Sequence, residues 1–91
     1  MANKLLTEFD FVYTDTAQDF KTVHVKLNIT DDGKLEISIF SDEDINDDEV
    51  LHIAEELRKQ RLKKLKLDNM AADSEILLCV GDEKRKVALQ S

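Results

Sequence analysis

Proline is absent from this 91-residue chain, and glycine occurs only twice, at positions 33 and 81. Two isolated glycines cannot build a glycine-rich phosphate loop. With no proline, no repeat and no low-complexity tract, nothing marks a linker, and the length suits one domain with a single modest core. The only cysteine is Cys79, so neither an internal disulfide framework nor a cysteine metal cluster can form within one chain. Between Leu78 and Val80 it reads as a small core hydrophobe rather than a nucleophile. No apolar run approaches a membrane span. The start, MANKLLTEFDF, lacks an extended apolar region and brings acids early, unlike a secretory signal. The expectation is a soluble, cytoplasmic protein.

Histidine is scarce too, with His24 and His52 in no HExxH or paired spacing, so zinc has nothing to build on. Acidic pairs abound, but in so acidic a chain they select no catalytic dyad. The expectation is a non-enzyme without metal or cofactor.

What the chain has is charge and periodicity. Charged residues make up 36% and the formal net charge is −7. The excess lies in the first half: residues 1–49 carry four Lys/Arg against thirteen Asp/Glu, and residues 50–91 carry nine against seven. An acidic half disfavours phosphate binding and is compatible with a basic protein surface as partner. The basic segment Arg58 to Lys66 reads as a helix end complementing the helix dipole. Without interleaved aromatics in an acidic chain, it argues against direct nucleic-acid or membrane binding.

The densest acidic run precedes the best-signed helix, INDDEVLHIAEEL from Ile45 to Leu57. Asn46 can cap the first turn and Glu49, three residues on, can reach back to it. Ile45 and Val50 can close a hydrophobic staple around the cap. Val50, Ile53, Ala54 and Leu57 repeat at helical spacing. Beyond Leu57 the pattern falters, because Arg61 lands in the middle of the apolar stripe while Leu62 and Leu65 drift to its edge. The helix is predicted to about Arg61, with continuation toward Lys66. Asp42, Asp44 and Asn46 also match the first three ligand positions of an EF-hand loop. The sixth position, however, is Asp47 where glycine is required, and the twelfth is Ile53 where glutamate is required. Capping and a solvated turn account for most of the run.

Strand periodicity flanks the helix on both sides. Leu5 to Tyr13 alternates with Phe9, Phe11 and Tyr13 on one face; Val23, Val25, Leu27 and Ile29 follow, then Leu35, Ile37 and Ile39. Pairing Ile29 with Leu35 and Leu27 with Ile37 leaves Asp31-Asp32-Gly33 as a three-residue loop, with Gly33 where a G1 bulge needs a left-handed residue. Phe11 then faces Val23, leaving five residues in the first turn. One helical turn is expected at Met70-Ala71-Ala72. The last hairpin is expected to centre its loop on Asp82-Glu83, opposing Leu78 to Val87 and Ile76 to Leu89. Its second face carries Leu77, Cys79 and Ala88 and is apolar as well, so its strand is either central or covered.

The fold expected is α+β, an antiparallel sheet of about five strands in the order β-β-β-α-β-β with one main helix on one face. Two functions fit it. One is a non-catalytic acidic protein-binding module that engages a basic partner through Asp42, Glu43, Asp44, Asp47 and Asp48. In sharper form this is an inhibitor mimicking nucleic acid, as small acidic proteins of mobile elements can do. The other is a self-associating structural or assembly subunit, a homodimer through Leu77, Cys79 and Ala88.

Overall fold

The computed structural model describes residues 4–67, 69 and 74–87. Three strands form an antiparallel meander, β1 (Lys4–Thr14), β2 (Phe20–Ile29) and β3 (Leu35–Ser41). Helix α1 (Asp47–Leu57) follows, then β4 (Glu75–Val80) and β5 (Glu83–Val87). The sheet order is β1-β2-β3-β4-β5. The fold is α+β as expected, but the sheet is mixed, because β4 runs parallel to β3. A tight turn can only reverse a strand, whereas the long connection through α1 returns the chain to the end from which β3 set out. The expected Met70-Ala71-Ala72 turn, Ala88 and Leu89 lie outside the described residues.

The first two registers are as the apolar pattern requires. Phe11 opposes Val23, Phe9 opposes Val25, Ile29 opposes Leu35 and Leu27 opposes Ile37. Gly33 takes φ +83° and donates its N–H to the Thr30 carbonyl at 3.0 Å, while Thr30 N–H bonds the Lys34 carbonyl at 2.8 Å. The first turn is organised by Asp15, a buried carboxylate that accepts from the backbone N–H groups of Ala17 (2.9 Å) and Asp19 (2.8 Å). Those bonds, above all from Asp19, and the Lys21 ammonium at 3.2 Å hold its carboxyl below the usual carboxylate range.

The last hairpin corrects the sequence reading. Ile76 opposes Val87, Leu78 opposes Arg85 and Val80 opposes Glu83. The loop is the tight pair Gly81-Asp82, with Gly81 at φ +59° in the position that a type II′ turn reserves for glycine. The expected register was displaced by two residues. Such a shift leaves every side chain on its own face, and apolar matching favours the wrong register because the true one opposes Leu78 to Arg85. Turn chemistry decides.

Helix α1 starts as its residues dictate. The Asn46 side chain accepts from Glu49 N–H at 2.8 Å, and Val50 is fully buried with Ile45 packed at the core margin. The capping box is only half formed, because the Glu49 carboxylate accepts from Thr16 Oγ1 at 3.0 Å instead of reaching back. After Leu57 the helix widens into a π turn over Arg58–Leu62, in which Lys63 N–H reaches the Arg58 carbonyl five residues back. The extra residue per turn resolves the faltering stripe. Leu62 becomes fully buried, and Arg61 moves outward with its guanidinium 4.6 Å from the Phe9 ring centroid. Lys66, at φ +61°, then closes the helix: Lys66 N–H bonds the Lys63 carbonyl and Leu67 N–H bonds the Leu62 carbonyl. That is a Schellman stop built without glycine.

One face of the sheet lies under this helix. Phe11, Tyr13, Val25, Leu27, Leu35, Ile37, Ile39, Ile76 and Leu78 pack there against Val50, Ile53, Leu57 and Leu62, all of them buried. Phe9 and Ile29 sit at its margin, half-buried. His52 pins the helix to the end of β1, its Nε2 2.6 Å from the Thr14 carbonyl. Among the described residues nothing lies over the opposite face.

Candidate functional site

The expected acidic residues sit where β3 passes into α1. Ser41 Oγ, at the end of β3, donates to the Glu43 carbonyl at 2.8 Å and folds the chain into a turn that projects Asp42, Glu43 and Asp44. Across from them stands the β1–β2 hairpin. Between the two runs a groove of about 410 Å³, with Tyr13 and Val23 on the sheet side and Asp42, Glu43 and Asp44 on the other. Asn46 and Glu49 close its helical end, and Lys21 lines the hairpin end.

The sequence grouped five acids, and the structure divides them. Asp42, Glu43 and Asp44 line the groove; Asp47 and Asp48, on the first helical turn, do not. Arg85 of β5 reaches this junction, pairing with Asp47 and lying 3.8 Å from Asp44, while its second amino group donates to the Ile45 carbonyl at 2.6 Å. Two of the five acids are thus matched by the chain itself. Among the described residues no cation pairs with Asp42, Glu43 or Asp48. Capping and the helix dipole do not need Asp42 or Glu43, which lie outside the helix.

Tyr13, Lys21 and Glu49 are groove residues that the sequence does not mark as site residues. Tyr13 is buried, and burial followed by the nearby Glu49 carboxylate pushes its phenol above the usual range. Lys21 is committed to Asp15. Glu49 spends Oε1 on Thr16, and among the described residues its buried Oε2 has no hydrogen-bond partner. The only advance signal was Tyr13 ending the apolar alternation of β1; Glu49 was fully explained as half of a capping box. The groove therefore offers negative charge and acceptor oxygens over an aromatic floor. Such a surface suits a cationic, donor-rich group.

Of the expected self-association residues, Leu77 and Cys79 lie on the opposite sheet face. Leu77 is half-buried, and Cys79 is only 4% exposed within the monomer, where burial raises its thiol pKa. Among the described residues no group of three or more His, Cys, Asp or Glu is arranged to hold a metal ion, and no helix is long and apolar enough to cross a membrane. No family model matches the chain, and neither the curated proteins nor the solved structures contain a match.

Proposed function

We propose that the chain is a non-catalytic protein-binding module whose acidic groove receives a basic side chain of a partner protein. The observation that carries this reading is Glu49. Its buried Oε2 lacks a donor among the described residues, and a buried carboxylate oxygen without one is unfavourable. An arginine or lysine entering the groove would supply that donor, and Tyr13 would give it an aromatic surface. Asp42 and Glu43, unmatched at the rim, would steer a basic surface toward it. The module would act in the cytosol, where the free Cys79 thiol stays reduced.

The test is affinity capture from the native host, followed by titration of the captured partner against wild type and two variants. Asp42→Asn with Glu43→Gln should weaken binding by about tenfold or more, because both charges face the groove. Asp48→Asn removes an equally exposed acid off the groove and should change little. Association by wild type should slow as salt rises, since exposed charges are screened beyond about 10 Å at 0.1 M. Equal affinity for all three proteins would reduce the acidic run to a solubility feature.

A further inference from the structure

We propose that the open face of the sheet is a docking surface for a second copy of this chain, related by a two-fold axis along β3, so that Glu8 and Asp10 on β1 of each copy meet Lys86 and Lys84 on β5 of the other. The registers carry this. Reading across the five strands, Asp10 opposes His24, His24 opposes Phe40, Phe40 opposes Cys79 and Cys79 opposes Lys84. One step along the strands, Glu8 opposes Lys26, Lys26 opposes Ser38, Ser38 opposes Leu77 and Leu77 opposes Lys86. Side chains paired in register point to the same face. Each row therefore begins with an acid on one edge strand and ends with a base on the other.

A two-fold axis parallel to the strands reverses strand order and preserves position along the strand. Each row then lies over its own copy, read backwards. Asp10 falls opposite Lys84 and Glu8 opposite Lys86, twice each by symmetry, in an isologous contact. Phe40, at the centre of its row, meets its own copy on the axis, and Leu77 meets the aliphatic stem of Lys26. The other in-plane two-fold, perpendicular to the strands, would set β1 against β1 and bring acids together. Charge thus selects one arrangement.

Sheet geometry permits it. Stacked sheets lie about 10 Å apart and cross at about 30°. With strands about 4.8 Å apart, an edge strand lies two spacings from the axis, where that crossing displaces the rows by roughly 5 Å, within a lysine's reach. The charged ends are available. Lys84 has no ion-pair partner among the described residues, and Lys86 reaches only Glu75, at a loose 3.5 Å. Glu8 and Asp10 share the single histidine His24. One like-charged pair results, Glu36 against its copy, at the far end of β3 from Phe40.

The acidic groove adjoins this face at Thr22, Ser41 and Asp42, but none of Glu8, Asp10, Lys84 and Lys86 lines it, so charge-swapped variants in sedimentation equilibrium test this contact separately. Glu8→Lys with Asp10→Lys makes both edges basic; Lys84→Glu with Lys86→Glu makes both acidic. Each variant alone should self-associate about tenfold or more weakly than wild type, since every edge contact becomes repulsive. Mixed in equal amounts, the two should form a heterodimer with affinity near the wild-type value, because both edges are again complementary. Circular dichroism on each variant establishes that it is folded, and recovery on mixing cannot arise from unfolded chains. A wild-type protein that stays monomeric at its highest soluble concentration overturns the proposal. So does a dimer that survives in both variants, or a mixture that stays as weak as its components.

Discussion

The two faces of this sheet are made by the same strands and alternate residue by residue, yet they are held together by different physics. On the helix side, Leu27, Ile37 and Ile39 have essentially no solvent exposure and are locked beneath Val50, Ile53, Leu57 and Leu62. That face is stabilised by removing apolar surface from water, at about 25 cal/mol per Å². The open side is polar and cross-linked. His24 bridges Asp10 and Glu8 at 2.8 Å each, and the Lys26 ammonium lies 5.3 Å from the Phe40 ring centroid. Exposed contacts of this kind are individually weak and sensitive to salt or pH. The comparison shows a division of labour, in which one face supplies most of the stability and the other carries a charge pattern.

The hardest test of that division is a pair of neighbouring substitutions on β2. Leu27→Ala, on the helix side, should cost about 2–5 kcal/mol by denaturant unfolding. Lys26→Ala, one residue earlier and on the open side, should cost about 0.5–1 kcal/mol, the value of an exposed cation–π contact. Comparable losses would mean that something covers both faces alike.

A smaller effect probes how firmly the covering helix is anchored. Asn46→Ala removes the acceptor for Glu49 N–H and should destabilise the domain by about 0.5–2 kcal/mol. The loss should appear as lower amide-exchange protection in the first turn of α1, with β1 and β2 less affected. Uniform loss across the sheet would show that the helix start unfolds only with the whole domain.

The finest effect belongs to the open face. The Asp10 carboxylate, and next Glu8, hold the His24 imidazolium above the ordinary histidine value of about 6.5. A raised folded-state pKa gives stability that is fully present below the unfolded value and fades as pH rises through the folded one. Glu8 shows the converse, its carboxyl lowered chiefly by His24, so its share fades toward acid. The difference in melting temperature between wild type and His24→Gln should therefore be largest near pH 6 and shrink on the alkaline side. A difference that does not vary with pH would mean that His24 is not charged in its bridge.

Most of the meander could be read before folding, because apolar pairing pointed to both registers. At the second turn a two-residue loop would oppose Ile29 to Glu36, and Gly33 suits the longer loop that keeps Ile29 opposite Leu35. At the last hairpin apolar pairing points to a register two residues away, and Gly81, with its positive φ, sets the true one. The end of the helix was legible as a fault, with Arg61 in an apolar stripe, but the remedy was not. A π turn follows from where Leu62 finds room in the core, and local sequence carries no record of that space. The acidic site was visible as a run of residues. Which acids were already matched was not, because Arg85 stands 38 residues from Asp47.

The sequence by itself determined what depends on near neighbours: strand alternation, the Asn46 cap, the Gly33 turn and the apolar stripe of α1. These are set by backbone sterics, by period and by hydrogen bonds spanning a few residues. Tertiary structure alone decided the parallel pairing of β3 with β4, the approach of Arg85 to Asp44 and Asp47, and the rows that run from acid to base across the open face. Each of those joins segments distant along the chain, and their relative placement is settled by how the whole core packs.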